Sequence, residues 1–266
     1  AAPVPEISLP GVPPWDERTK LAYEKEVLGI HLSGHPTDEH APVIRRYAAT
    51  DLRGLESVAD ERTVLVGGML SEVRITMVRS GRSAGEKMAM ITLEDRHGSL
   101  DGVVFSSVFA REAANLQSQA VVMLLGRTDR SRGRLRLIVD RVVPIAEAPR
   151  HFTSRIDLVF DGDGEAEEAE LINDMRMASG LLQQAAAVAV SGRGHAAEVG
   201  LLVRSGGMVV RMRSPKLRVV PEPDLLRRLG EVIGHDRIRL VGGHVPPTND
   251  RGRRRGPSAR QPAMAG

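Results

Sequence analysis

The sequence contains no cysteine, which excludes disulfides, thiolate metal sites and cysteine nucleophiles and fits a reducing compartment. Aromatic residues are scarce, with one Trp, two Tyr and four Phe in 266 residues. The cores must therefore be aliphatic, and platforms for stacking bases few. No apolar run approaches the roughly 20 residues that span a bilayer, and the charged-then-apolar pattern of a signal peptide is missing; a cytoplasmic chain without a membrane partner is expected. Also missing are a Gly-rich phosphate loop, a GxSxG elbow and an HExxH pair. Glu94 and Asp95 are adjacent in a strand-like segment and so point to opposite faces, which makes them a poor acid and base pair. With no catalytic constellation, the chain by itself is expected to be non-catalytic and to hold neither cofactor nor metal.

What is present is ordinary globular material, 41% hydrophobic and 27% charged, long enough for about two domains of roughly 100–200 residues each. The net charge is only +3, yet the sequence pI is about 9.7, because arginines are numerous and locally clustered. The opening AAPVPEISLPGVPPW has five prolines before Trp15 and no Met, and reads as an extended linker cut from something longer. The end, from Val245, is PPTNDRGRRRGPSARQPAMAG, the composition of a disordered basic tail. Residues 1–60 are expected to form a linker and helical segment, 61–146 a first domain, 147–244 a second and 245–266 the tail.

The stretch YEKEVLGIHLSGHP, Tyr23 to Pro36, sets His31 and His35 four residues apart, a spacing that on a continuous helix could hold zinc. A helix is predicted from about Asp16 to Leu32, with Leu21, Val27, Leu28 and Leu32 near one stripe. Gly34 and Pro36 then form a stop signal. His35 is expected beyond the helix, so the pair is not read as a metal site. The acidic run Asp161, Asp163, Glu165 lacks the remaining ligands of a calcium loop and is read as a solvated entry to a helix N-terminus.

From Thr63 the pattern turns to strands. TVLVGGMLSEVRITMV is rich in β-branched residues, and Gly67-Gly68 suggests a bulge or bend inside it. MAMITLED, an RHG turn and SLDGVVF follow, then a helical stretch from about Ser107 to Leu116, then AVVMLLGRTDR and RLRLIVDRVVPI. Three strands, a helix and two strands, the first long and bent, are what a five-stranded Greek-key OB barrel requires. The third region starts near Phe152 and reads β-α-β-β-(β)-α-β. Gly206-Gly207 mark a hairpin turn, Pro223 opens the last helix and Gly234 closes it. A split βαβ, ferredoxin-like sandwich is predicted there, and the whole is α+β.

On this barrel Arg74, Arg79, Arg82 and Lys87 lie in or near the first loop. Arg127 and Arg130 end the fourth strand, and Arg132, Arg134 and Arg136 follow. The two loops flank the face on which OB folds hold single strands, and so many cations near one groove favour a polyanion through counterion release. Phe105 and Phe109 are the aromatics of the barrel region, and either could be core. Backbone charge is then expected to dominate over base stacking, with little sequence preference and steep salt dependence. The tail arginines Arg251, Arg253, Arg254, Arg255 and Arg260 either add attraction or solubilise.

The segments WDERTKLAYEKEVLGIHLSGHP, VGGMLSEVRITMV, MAMITLEDRHGSLDGVVF and AVVMLLGRTDRSRGRLRLIVDRVVPI closely resemble the C-terminal part of the alpha subunit family of bacterial replicative DNA polymerase III. The resemblance is strong from about Trp15 to Ile145 and looser beyond. It implies an OB domain that binds single-stranded DNA and a following domain that contacts the clamp-loader tau subunit and other replisome subunits. It also implies a parent that performs template-directed synthesis with magnesium-bound aspartates; no residue here matches that palm, nor the clamp-binding motif. A free-standing OB adaptor, such as one reading RNA as tRNA-anticodon domains do, and a pure protein-interaction module are the alternatives.

Overall fold

The computed structural model describes residues 15–29, 33–161, 165–189, 195–205 and 207–243. His31, Asp163 and the basic tail with its five arginines lie outside them. Helix α1 (Glu17–Leu28) starts at Asp16, whose carboxylate accepts from the Thr19 N–H at 2.9 Å and caps the first turn. It stops at Gly29, which takes a left-handed φ of 74°, five residues before the predicted stop at Gly34. Val27 and Leu28 of the predicted stripe are exposed, so this helix stands off the core.

The SGHP segment is a turn. The His35 N–H donates to Asp38 Oδ2 at 2.7 Å, and His35 Nδ1 lies 2.6 Å from Thr37 Oγ1. Asp38 in turn pairs with Arg96 Nε at 2.9 Å, which ties the turn to the bend between the second and third strands. After this turn, helix α2 (Ala41–Tyr47) has Pro42 in its first turn and Arg45 and Arg46 in its last, a sequence of start and stop residues that favours a helix.

Strand β1 (Thr63–Met77) serves two partners. Its first half pairs with β4 (Val121–Asp129) and its second with β2 (Lys87–Asp95). Strand β3 (Gly98–Val104), helix α3 (Ser106–Glu112), β4 (Val121–Asp129) and β5 (Arg136–Pro144) complete a closed barrel in the order β1-β2-β3-β5-β4, the OB topology. The bulge lies at Ser71, where the register steps from Leu70 to Glu72, and not at the predicted Gly67-Gly68. Those glycines stay in register and provide clearance instead: a Cβ on Gly67 would sit 2.8 Å from Met123 Sδ, and one on Gly68 2.7 Å from the Glu94 carbonyl.

The barrel has two apolar layers. Inside, Val66, Leu70, Ile91, Leu93, Val104, Leu124, Leu137 and Val139 are buried, with Val108 of α3 among them. Outside, Tyr47 of α2 and Phe152 of α4 (Ala148–Phe152) cover Leu65, Met123, Leu125 and Val143 of β1, β4 and β5. That cover leaves the outer side of β2 uncapped, with Met90 half exposed. The open side is thus defined by where the helices are not.

Beyond the barrel, β6 (Arg155–Asp161), α5 (Glu165–Ala189), β7 (Ala197–Ser205), β8 (Met208–Val219), α6 (Pro223–Ile233) and β9 (Ile238–Val241) build a sheet in the order β8-β7-β6-β9. The mixed α+β class holds, but the βαβ unit is not split. The parallel strands β6 and β7 are direct neighbours, and the hairpin strand β8 extends the outer edge of β7. The bracketed strand of the expected β-α-β-β-(β)-α-β order is the end of β8, resumed after a register shift opposite Glu198 and Val199. Pro223 and Gly234 bound α6 as expected, Gly234 at φ 92°. Ile156, Leu158 and Phe160 bury one face of this sheet against Ala178 and Leu182 of α5 and Leu225 and Leu229 of α6. The two units meet at Tyr47 Oη, 2.8 Å from Thr153 Oγ1 with both side chains buried.

Candidate nucleic-acid interface

The β2–β3 side of the barrel is built by alternation. Inward residues Ala89, Ile91 and Leu93 are buried, which forces Met90, Thr92 and Glu94 outward. Register then places Arg74 of β1 beside Met90 and Val103, and Glu72 beside Thr92 and Asp101. The open face therefore carries a mixture of apolar, acidic and basic groups. Its cations sit mainly at the two ends.

At one end, the β1–β2 loop closes with the Val78 N–H donating to the Glu86 carbonyl and the Gly85 N–H to the Val78 carbonyl, both at 2.9 Å. Gly81 and Gly85 take left-handed φ values of 92° and 85°, as so tight a loop demands. Arg79 and Arg82 stand exposed on it, Lys87 follows opposite Met77, and Ile75 and Met77 are exposed on the strand leading in. Phe105 lies at this same end, next to Val104, which pairs with Ala89. It is 47% exposed, whereas Phe109 packs on the barrel core. Of the two aromatics the sequence left undecided, only Phe105 is therefore free to stack.

At the other end, the β4–β5 loop turns at Gly133 (φ 78°) and projects Arg132 and Arg134. A shallow hollow there is lined by Leu52, Glu56, Ser99, Leu100, Arg130 and Arg134. Between the two ends runs β3, seven residues long, roughly 23 Å at strand spacing.

The eight predicted site residues divide by what they touch. Arg79, Arg82, Lys87, Arg132 and Arg134 are exposed and make no ion pair or side-chain hydrogen bond with another described residue. Arg74 lies within β1, on its outer side and not in the loop, with Glu72 at 2.6 Å; both are largely solvated. Arg127 faces Asp140 at 3.9 Å. Arg130 is turned into the protein, where its Nη2 donates to the Glu56 carbonyl at 2.7 Å and reaches those of Leu55 and Val58 at 3.4 Å. Arg136 pairs with Asp129, its Nε 2.6 Å from Oδ2. The Ser131 N–H and hydroxyl, with Arg136 behind them, hold the Asp129 carboxyl down at about 2. These contacts fix the loop's shape, so sequence proximity overstated how many of its arginines face solvent.

Residues 64–145 match the tRNA anti-codon family model, an OB-fold nucleic acid binding domain. The chain is 35% identical over 167 residues to the DNA polymerase III subunit alpha of Halalkalibacterium halodurans, covering 62% of this chain and 14% of that protein. It is 32% identical over 142 residues to that of Treponema pallidum, covering 53% and 12%. The subunit of Vibrio cholerae aligns over 232 residues at 22% identity, which takes in 86% of this chain and 19% of that protein. The chain thus spans less than a fifth of these relatives' length.

Proposed function

We propose that this chain is the C-terminal part of a DNA polymerase III alpha subunit, and that its OB barrel holds single-stranded DNA along the open β2–β3 side. The carrying observation is the coincidence of the match to alpha subunits with five uncommitted cations, Arg79, Arg82, Lys87, Arg132 and Arg134, at the two ends of the uncovered barrel face. Glu72 and Asp101 on that face oppose deep burial of phosphate there, so the backbone would be gripped at the ends and the bases would pass over Met90 and Phe105. With one exposed aromatic at the site, binding is sequence-tolerant and salt-dependent.

In this reading the second unit docks the clamp-loader tau subunit and other replisome subunits in the cytoplasm. The magnesium-dependent synthesis belongs to other parts of the parent. The chain by itself incorporates no nucleotide. The test is a titration of labelled single-stranded DNA with the chain, competed by duplex DNA and by RNA. Displacement by single strands ahead of duplex supports the reading; preference for folded RNA would favour the adaptor alternative, and no binding at low salt would favour a protein-interaction module.

A further inference from the structure

Both helices of the second unit lie on one face of its sheet; the other face is open at its polar positions, around a buried pair, Val159 and Leu202. Register places Arg155 and Asp157 of β6, Glu198 and Arg204 of β7, Arg211, Arg213 and Arg218 of β8, and Arg239 of β9 together on that open face. Its carboxylates are already taken. Arg155 grips Asp157 through Nε and Nη2 at 2.7 and 2.9 Å, Arg218 Nη2 reaches Glu198 at 2.8 Å, and Arg204 lies 3.5 Å from Asp161. Arg211, Arg213 and Arg239 are exposed and make no ion pair or side-chain hydrogen bond with another described residue. The face therefore carries three more arginines than carboxylates.

We propose that this open face binds the phosphate backbone of single-stranded nucleic acid, with Arg211, Arg213 and Arg239 as the contacts. Arg211 and Arg213 are two apart on one strand, so their side chains stand roughly 7 Å apart on the same side. Paired guanidinium forks at that interval suit successive phosphates, whose oxygens accept bidentately. The middle of the platform is flat: Gly200 lies between Asp157 and Arg213 in register, and a Cβ there would strike the Asp157 carboxylate. The face presents no exposed aromatic among its described residues, so it would track charge and not base identity. An acidic protein segment shares the charge, but the exposed apolar residue this face offers, Val209 opposite Arg204, sits at one end of the platform, away from Arg239, and is not the cluster of anchors that a peptide of modest charge density needs.

The experiment measures anisotropy of labelled oligothymidylate with the full chain at several salt concentrations. It compares Arg211→Gln/Arg213→Gln/Arg239→Gln with the same three sites changed to Lys, each alone and combined with Arg79→Ala/Arg82→Ala/Lys87→Ala in the barrel. The Gln set is expected to lower affinity about tenfold at low salt and to flatten the salt slope by about 2, while the Lys set restores most of the slope, a split that a folding defect would not give. An unchanged slope in the Gln set overturns the proposal, as does displacement of the oligonucleotide from the barrel variant by polyglutamate at equal charge. Loss confined to the barrel set leaves the barrel reading standing and sinks this one; loss confined to the sheet set does the reverse.

Discussion

At the scale of single residues, the arginines of the β4–β5 loop have two different occupations. Arg130 satisfies backbone carbonyls of the short helical turn at Gly54–Ser57 and its exit. Arg130→Ala is expected to destabilise the chain by about 2 kcal/mol, because it strands partly buried acceptors. Arg130→Lys should recover less than half of this, since one ammonium does not reproduce the fork; chemical denaturation of the three proteins measures both. Asp129, held at about 2 against an ordinary 3.8, contributes stability that is full above the unfolded value and is lost as pH falls through the folded one. Allowing for solvent screening, the loss is about 1 kcal/mol between pH 5 and pH 2. Asp129→Asn should remove that part of the acid sensitivity, read as the difference between the two proteins' stability curves.

At the scale of elements, α2 and α4 decide which side of the barrel is available. They cover β1, β4 and β5, and the buried Tyr47–Thr153 hydrogen bond fastens α2 to the entry of the second unit. Tyr47→Phe is expected to cost about 1–2 kcal/mol, since the Thr153 hydroxyl is left buried without its partner; a thermal melt of the variant would show it. These same elements mark where sequence was and was not readable. The barrel's strands follow from alternation and β-branched runs, and α6 from its proline and glycine punctuation. Helices α2 and α4 are short, seven and five residues, too short for an apolar period to show, and tertiary packing makes them. The strand order of the second sheet also escaped, because β-α-β-β-α-β fits both a split and an unsplit βαβ unit. Only long-range pairing tells them apart.

The site was legible in part for a similar reason. Loop positions of Arg79, Arg82, Arg132 and Arg134 follow from the turn residues around them. The inward turn of Arg130 depends on carbonyls more than 70 residues away in sequence, and the exposure of Phe105 depends on which end of the barrel α3 closes. No local pattern encodes either.

At the scale of the whole molecule, two surfaces on different units present uncommitted arginines, and the proposed single-strand site is the one on the barrel. Its most direct test is the salt dependence of single-stranded DNA binding by the chain and by Arg79→Ala/Arg82→Ala/Lys87→Ala. The chain is expected to bind tightly at low salt and to weaken steeply with added salt, and the variant to have a log–log slope smaller by about 2, one condensed ion fraction of roughly 0.7 for each lost phosphate contact. A variant that binds with the native affinity and slope would contradict it.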